Sequence, residues 1–310
     1  MKLLTNVGVS TPDFLIDYHS KLLLLGSCFA ENMAKKFEYY CFDVDVNPYG
    51  ILYNPFSMAN VLEFLIQERQ MQAEDLVHVN GKWVSLYHHG SFSDPDRHTC
   101  IEKINSRVER GAKVLREADL LVMTWGSAWV YKHLKKKIVV TNCHKIPDNE
   151  FARYRLRVEE IVERYAAMIP ALRQINPGMR ILFTVSPIRH WRDGAHENQL
   201  SKAVLLLTIE QLQNRFENIY YFPSYEILLD ELRDYRFYAE DMLHPSEMAV
   251  NYIWEIFKST YIAPGDFPLM RQVEALRKRM NHRPLDLDTG SYQQLKQQLD
   301  TLIETIRKDR

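Results

Sequence analysis

The sequence predicts an α/β fold, a mostly parallel sheet of about five strands with helices on both faces. Two observations carry this. Short apolar runs at residues 22–25, 119–125, 179–185 and 219–222 are bounded by Gly, Pro or polar residues, as buried strands are. Longer segments with helical spacing separate them, and helical connections between strands imply parallel pairing. In such sheets ligands bind beyond the carboxyl ends of the strands.

The chain is organised around residues 21–30, KLLLLGSCFA. Four leucines form the first strand, and Gly26 permits a tight turn without Cβ strain. Ser27 then stands where a strand becomes a helix, beside free N–H groups and a partial positive charge. Serine is also a preferred N-cap, so position alone leaves cap and nucleophile evenly matched.

Residues 43–50 read as a short strand ending in the turn Asn47-Pro48-Tyr49-Gly50. Asn54 and Pro55 open a helix with Met58, Val61, Leu62 and Leu65 at helical spacing. Residues 74–92 read as a β-hairpin turning at Asn80-Gly81. A polar loop with His88, His89, Asp94, Asp96 and His98 leads to a helix over residues 99–116. The strand at 119–125 closes at Gly126-Ser127-Ala128-Trp129, and residues 137–141 form another short strand. Helices are expected over 149–168, 198–215 and 246–261, with strands at 179–185 and 219–222 between them.

This gives one α/β domain over residues 1–263, with an insertion at about 70–100, and a helical extension over 264–310. In the extension two charged helices, 268–281 and 292–308, flank Pro284-Leu285-Asp286-Leu287. Leu295, Leu299, Leu302 and Ile306 make one apolar stripe, expected to pack on the domain. A homo-oligomer contact is the alternative use of that stripe.

The 310 residues are 46% hydrophobic and 25% charged, ordinary values for a globular chain. A net charge of −1 gives no electrostatic case for nucleic acid or an anionic membrane as partner. The first twenty residues lack an apolar core of signal-peptide length, and a cytoplasmic location is the expectation. Cys28, Cys41, Cys100 and Cys143 form no C-x-x-C pair and are expected as free thiols.

Asp241 and His244 lie three apart, after the last strand and at the same sheet edge as Ser27. A carboxylate at i can hold the Nδ1 of an imidazole at i+3, leaving Nε2 to take a proton from a serine hydroxyl. With these residues in view, the chain resembles the GSCFA family, related to the SGNH/GDSL hydrolases. The likeness covers about residues 3–284. It rests on residues 26–30, Asn47-Pro48-Tyr49-Gly50, residues 126–131, 142–145 and 186–190, and Asp241-x-x-His244-Pro245.

That resemblance implies a three-layer, flavodoxin-like α/β/α sandwich and a Ser-His-Asp esterase or acyl-transfer site without a cofactor. Ser27 matches the nucleophile, His244 and Asp241 the base and its orienting acid. Gly50 matches an oxyanion donor, beside Ser27's own N–H. Two departures stand out. The G-x-N-D block reads Gly126-Ser127-Ala128-Trp129, so its asparagine is missing, with Asn142 the first candidate to replace it and Ser127 or His190 as others. Gly26 also directly precedes Ser27, so the G-D-S order is not kept. The substrate expected is a small-molecule or carbohydrate ester carrying a short acyl group. Trp129, Ser127, His190 and His89 are candidates to line the cleft.

Three other readings follow from the residues. Cys28 could replace Ser27 as nucleophile, although alternation turns it inward with Phe29 if Ser27 faces the cleft. The His88–His98 loop mixes N and O donors, but its spacing fits no metal motif, and no metal is expected. The rival from another class is a cleft that has lost its chemistry and binds a glycan or protein partner.

Overall fold

The computed structural model describes residues 5–281 and 290–308. Strand β1 (Lys21–Gly26) leads through helix α1 (Cys28–Tyr39) to β2 (Asp43–Val46). Helix α2 (Pro55–Ile66) precedes the hairpin of β3 (Leu76–Val79) and β4 (Lys82–Ser85), and α3 (Arg97–Glu117) leads into β5 (Leu120–Trp125). Three short strands follow: β6 (Trp129–His133), β7 (Val139–Val140) and β8 (Phe151–Arg155). Then come α4 (Val158–Ile175), β9 (Arg180–Val185), α5 (Gly194–Arg215), β10 (Ile219–Phe222) and the single turn α6 (Ser224–Glu226). Helices α7 (Glu247–Tyr261), α8 (Phe267–Asn281) and α9 (Gly290–Lys308) end the chain.

The central sheet runs β10-β9-β5-β1-β2, parallel throughout. The leucine run explains the layering. Successive side chains of a strand point to opposite faces, so a strand buried on both sides must be apolar throughout. Leu23 and Leu25 join a core with Met58 and Leu62 of α2, Ile104 of α3 and Ile169 of α4. Leu22 and Leu24 join a second core with Phe29 and Phe37 of α1 and Trp254 of α7. The fold is therefore the expected α/β arrangement, with one helical layer on each face.

Met270 and Val273 of α8 and Leu299 and Ile306 of α9 belong to the same apolar cluster as α1 and α7. The expected turn at Pro284-Leu285-Asp286-Leu287 lies outside the described residues. No helix among those described is long and apolar enough to cross a membrane.

The hairpin forms as its Asn-Gly turn requires, with Asn80 at φ 49° and Gly81 at φ 76°. One expectation fails. Helix α4 starts at Val158, and the first residues of the predicted 149–168 helix form β8 instead. β8 pairs antiparallel with β6, Tyr131 opposite Arg153 and His133 opposite Phe151, and β7 completes a second sheet in the order β7-β6-β8. The cause is tertiary: Phe151 buries in a small cluster with Leu86 and Val140, while Arg153 lies 4.2 Å over the Trp129 ring. Such pairing overrides local helix propensity.

Gly26 packs against Thr124 of β5. Its φ is +148°, and a Cβ there would stand 2.4 Å from the Thr124 carbonyl oxygen and 2.7 Å from Thr124 Cβ. Gly26→Ala must displace backbone in the sheet centre, at an expected cost on the order of 3 kcal/mol. Gly178→Ala, whose added Cβ meets nothing within 4 Å, should cost under about 0.5 kcal/mol. Urea denaturation of the two variants checks the contrast.

Candidate active site

The chain crosses the sheet between β1 and β5, since β2 lies on one side of β1 and β5 on the other. Such a switch point opens a crevice at the strand ends, and Ser27 follows directly from β1. The loop after β2 fixes its approach. Gly26 N–H donates to Asn47 Oδ1 at 2.8 Å, and Leu52 N–H donates to the Gly26 carbonyl at 2.9 Å. Ser27 is extended, with φ −70° and ψ 178°, and caps α1 by accepting from Phe29 N–H at 3.3 Å. It also lines a cleft of about 550 Å³. Cap and cleft residue are thus the same serine, and its Oγ donates to Ser186 Oγ at 3.1 Å.

His244 lines the same cleft. It is held by a turn in which Met242 takes φ 58° and donates its N–H to the Ala239 carbonyl at 2.9 Å. Asp241 Oδ1 accepts the N–H groups of Leu243 and His244, both at 2.9 Å, and Oδ2 accepts His244 Nδ1–H at 2.5 Å. The two amides, and then the imidazole, hold the Asp241 carboxyl down at about 2. An ionised Asp241 sets the proton on Nδ1 and leaves Nε2 as the free acceptor. Ser27 and His244 therefore share a cleft, but Ser27 Oγ is bonded to Ser186 and not to His244 in this structure.

The expected oxyanion donors divide. The Gly50 N–H closes a turn onto the Asn47 carbonyl at 2.8 Å, so it does not point a free donor at the cleft. Its role is steric: at φ +80°, a Cβ would stand 2.2 Å from His89 Cβ. Gly126 and Ser127 N–H both donate to the Tyr53 carbonyl, at 2.8 and 2.9 Å. The Ser127 hydroxyl is occupied by Ser201 Oγ and Trp129 N–H. Asn142 and His190 line the cleft with donor capacity remaining. Asn142 Oδ1 accepts from His144 N–H at 2.8 Å, which leaves Nδ2. His190 Nε2 has no partner among the described residues. Burial first, then the charge of Lys202, lowers His190 to about 3 and keeps its ring neutral.

His89 and Trp129 also line the cleft, His89 with Nδ1 facing Ser91 Oγ at 3.1 Å. Cys28 turns inward only in part, half-buried against the core cluster that contains Phe29. It lines the cleft beside Ser27, because the chain is already turning into α1 and strand alternation has ended. Burial raises its thiol pKa, which disfavours a thiolate nucleophile. The His88–His98 loop is dispersed. His88 stacks on Tyr49 at 4.1 Å, Asp94 pairs with Lys103, Asp96 caps α3 and His98 pairs with Glu102. Among the described residues no three His, Cys, Asp or Glu side chains gather to hold a metal ion.

The sequence profile of the GSCFA family matches residues 21–257, from the first leucine strand to α7. The chain belongs to the GSCFA family. No curated protein sequence matches it. Similar solved structures include a family two carbohydrate esterase from Clostridium thermocellum in complex with cellohexaose, at 12% identity and a TM-score of 0.38. That match covers 81% of this chain and 65% of the other. A carbohydrate esterase family 3 structure from Talaromyces cellulolyticus matches at 10% identity and a TM-score of 0.34, covering 82% and 99%.

The GSCFA site has a floor that sequence reading missed. Lys202, on α5, is 1% exposed, and its Nζ donates to the Gly126 and Ser186 carbonyls, both at 2.7 Å. It ties the ends of β5 and β9 together beneath Ser27's partner. No carboxylate pairs with it among the described residues, and burial lowers its pKa from 10.5 to about 7. In the unfolded chain the amine keeps its ordinary value. Between pH 7 and about 10.5 the unfolded chain therefore binds one more proton, and stability rises with pH. Below pH 7 both states are protonated and the full cost of the buried ammonium is present. The stability of the wild type relative to Lys202→Met should climb from pH 7 to 10, by at most about 1.4 kcal/mol per pH unit. Urea denaturation across that range measures it, and a difference flat in pH would contradict an uncompensated buried amine.

Proposed function

We propose that this GSCFA protein is a serine esterase or deacylase that removes a short acyl group, such as acetyl, from a carbohydrate ester. One observation carries the reading. Ser27, at the switch point of the sheet, shares a cleft with His244, whose Nδ1 is held by an ionised Asp241. The aromatic side chains of Trp129, Tyr131 and Trp191 in the same cleft suit a sugar ring.

In this mechanism the Ser27 Oγ–H leaves Ser186 and its proton passes to His244 Nε2 as Oγ attacks the ester carbonyl. The carbonyl oxygen becomes an oxyanion facing the Ser27 N–H, with Asn142 Nδ2 and His190 Nε2 as side-chain donors. His244 then gives its proton to the departing alcohol oxygen, and the C–O bond breaks. Water repeats the cycle on the acyl-serine, releasing the carboxylic acid and restoring Ser27. A neutral His190 can donate without becoming charged, as an oxyanion donor of this kind must.

A second reading is a cleft that binds a glycan or protein partner without cleaving it. It is favoured by the Ser27–Ser186 bond and by the engaged Gly50 N–H. Kinetics separate the two. On 4-nitrophenyl acetate, Ser27→Ala and His244→Ala should each lower kcat/KM by at least about 10³-fold, and Asp241→Asn by about 10²–10⁴-fold. Undiminished hydrolysis by Ser27→Ala would sink the esterase reading.

A further inference from the structure

A second cavity of about 560 Å³ lies beside the Asp241–His244 turn. Asp241 lines it while His244 lines the Ser27 cleft, so the turn stands between them. Arg189 and Trp191 line both, and the two spaces meet at this pair. The second cavity is walled by unusual surface. Trp191, Tyr235 and Met242 are 47%, 76% and 51% exposed, a concentration of large apolar side chains that folding does not require.

The charges of the cleft single out one group. Arg153 is forked onto Asp193 at 2.6 and 2.5 Å, and Arg192 lies 3.5 Å from Asp148. These pairs cancel. In the second cavity Arg233 and Asp234 are each paired as well, with Asp230 and Arg236, and Asp241 is held by His244. Arg189 is the exception. Its side chain is half-buried and makes no hydrogen bond or ion pair with any described residue. Desolvating an unpaired guanidinium is unfavourable unless an anion is brought to it. A guanidinium presents two parallel N–H donors that match the two oxygens of a carboxylate.

We infer that the second cavity is a binding site for a saccharide unit bearing a carboxylate, with Arg189 receiving the carboxylate and Tyr235 and Trp191 the sugar faces. This deepens the carbohydrate esterase reading and rests on it for the choice of a sugar. The substrate is then an acylated acidic glycan that straddles the Asp241–His244 turn. Its acyl group lies toward Ser27 and its acidic unit in the second cavity.

Calorimetric titration of the full chain with trigalacturonate and with neutral galactotriose tests this. The wild type should bind trigalacturonate about 10-fold or more tightly than galactotriose. Arg189→Met should abolish that preference and leave galactotriose binding unchanged. Tyr235→Ala should weaken both by a similar factor and keep the preference. Equal binding of the two, no binding of either, or a preference that survives Arg189→Met would overturn the inference. Neither probe is an ester. Failure of the Ser27 chemistry would leave this discrimination in place, and failure of the discrimination would leave the Ser27 chemistry untouched.

Discussion

The site depends on the close passage of β1 and β5 at Gly26. Only a residue without Cβ fits against Thr124 there, and both polar groups of its backbone are spoken for by the Asn47–Leu52 loop. That arrangement fixes the last point of the strand in three directions. Ser27 then leaves the sheet at one angle, 1% exposed, its hydroxyl capping α1 and bonded to Ser186 at the lining of the cleft. The same loop brings Gly50 against His89, and the second sheet, β7-β6-β8, supplies Trp129, Tyr131 and Arg153 as a wall. Position comes from backbone constraint, and the cleft's character comes from the inserted strands.

The electrostatics follow a consistent division. Apart from Arg189, charges at the rim are paired or held by backbone amides, as Asp241 is by Leu243 and His244. The groups beneath are buried with little compensation: Lys202 between two carbonyls and His190 with an open Nε2. Burial lowers the pKa of both. Such groups weaken the fold, and proteins retain them mostly where they organise a site. Lys202 orders the strand ends that carry Ser186 and Gly126, and His190 keeps a neutral ring beside them.

Much of the fold was legible because burial on two faces writes itself as unbroken apolar runs. Leu22–Leu25 and the strand over residues 119–125 needed no other information, and Asn80-Gly81 announced its hairpin. The second sheet was not legible. β8 alternates Phe151, Arg153 and Arg155 in a way that local pattern assigns to the start of α4, and only its contacts with β6 decide otherwise. At the site, the Asp241–His244 pair could be read because i and i+3 meet in a turn. Lys202 and Arg189 could not. Nothing local distinguishes a lysine inside an amphipathic helix from a solvated one, and the lack of a partner is a property of three dimensions. The engaged N–H of Gly50 was hidden for the same reason.

The proposed chemistry requires Ser27 to be an activated nucleophile and not only a helix cap. Labelling the wild-type protein with a fluorophosphonate, then reading intact mass and mapping peptides, tests it most directly. An activated Ser27 gives a single adduct that is lost in His244→Ala. A folded protein that takes no adduct, or an adduct on Ser27 that survives His244→Ala, would contradict it.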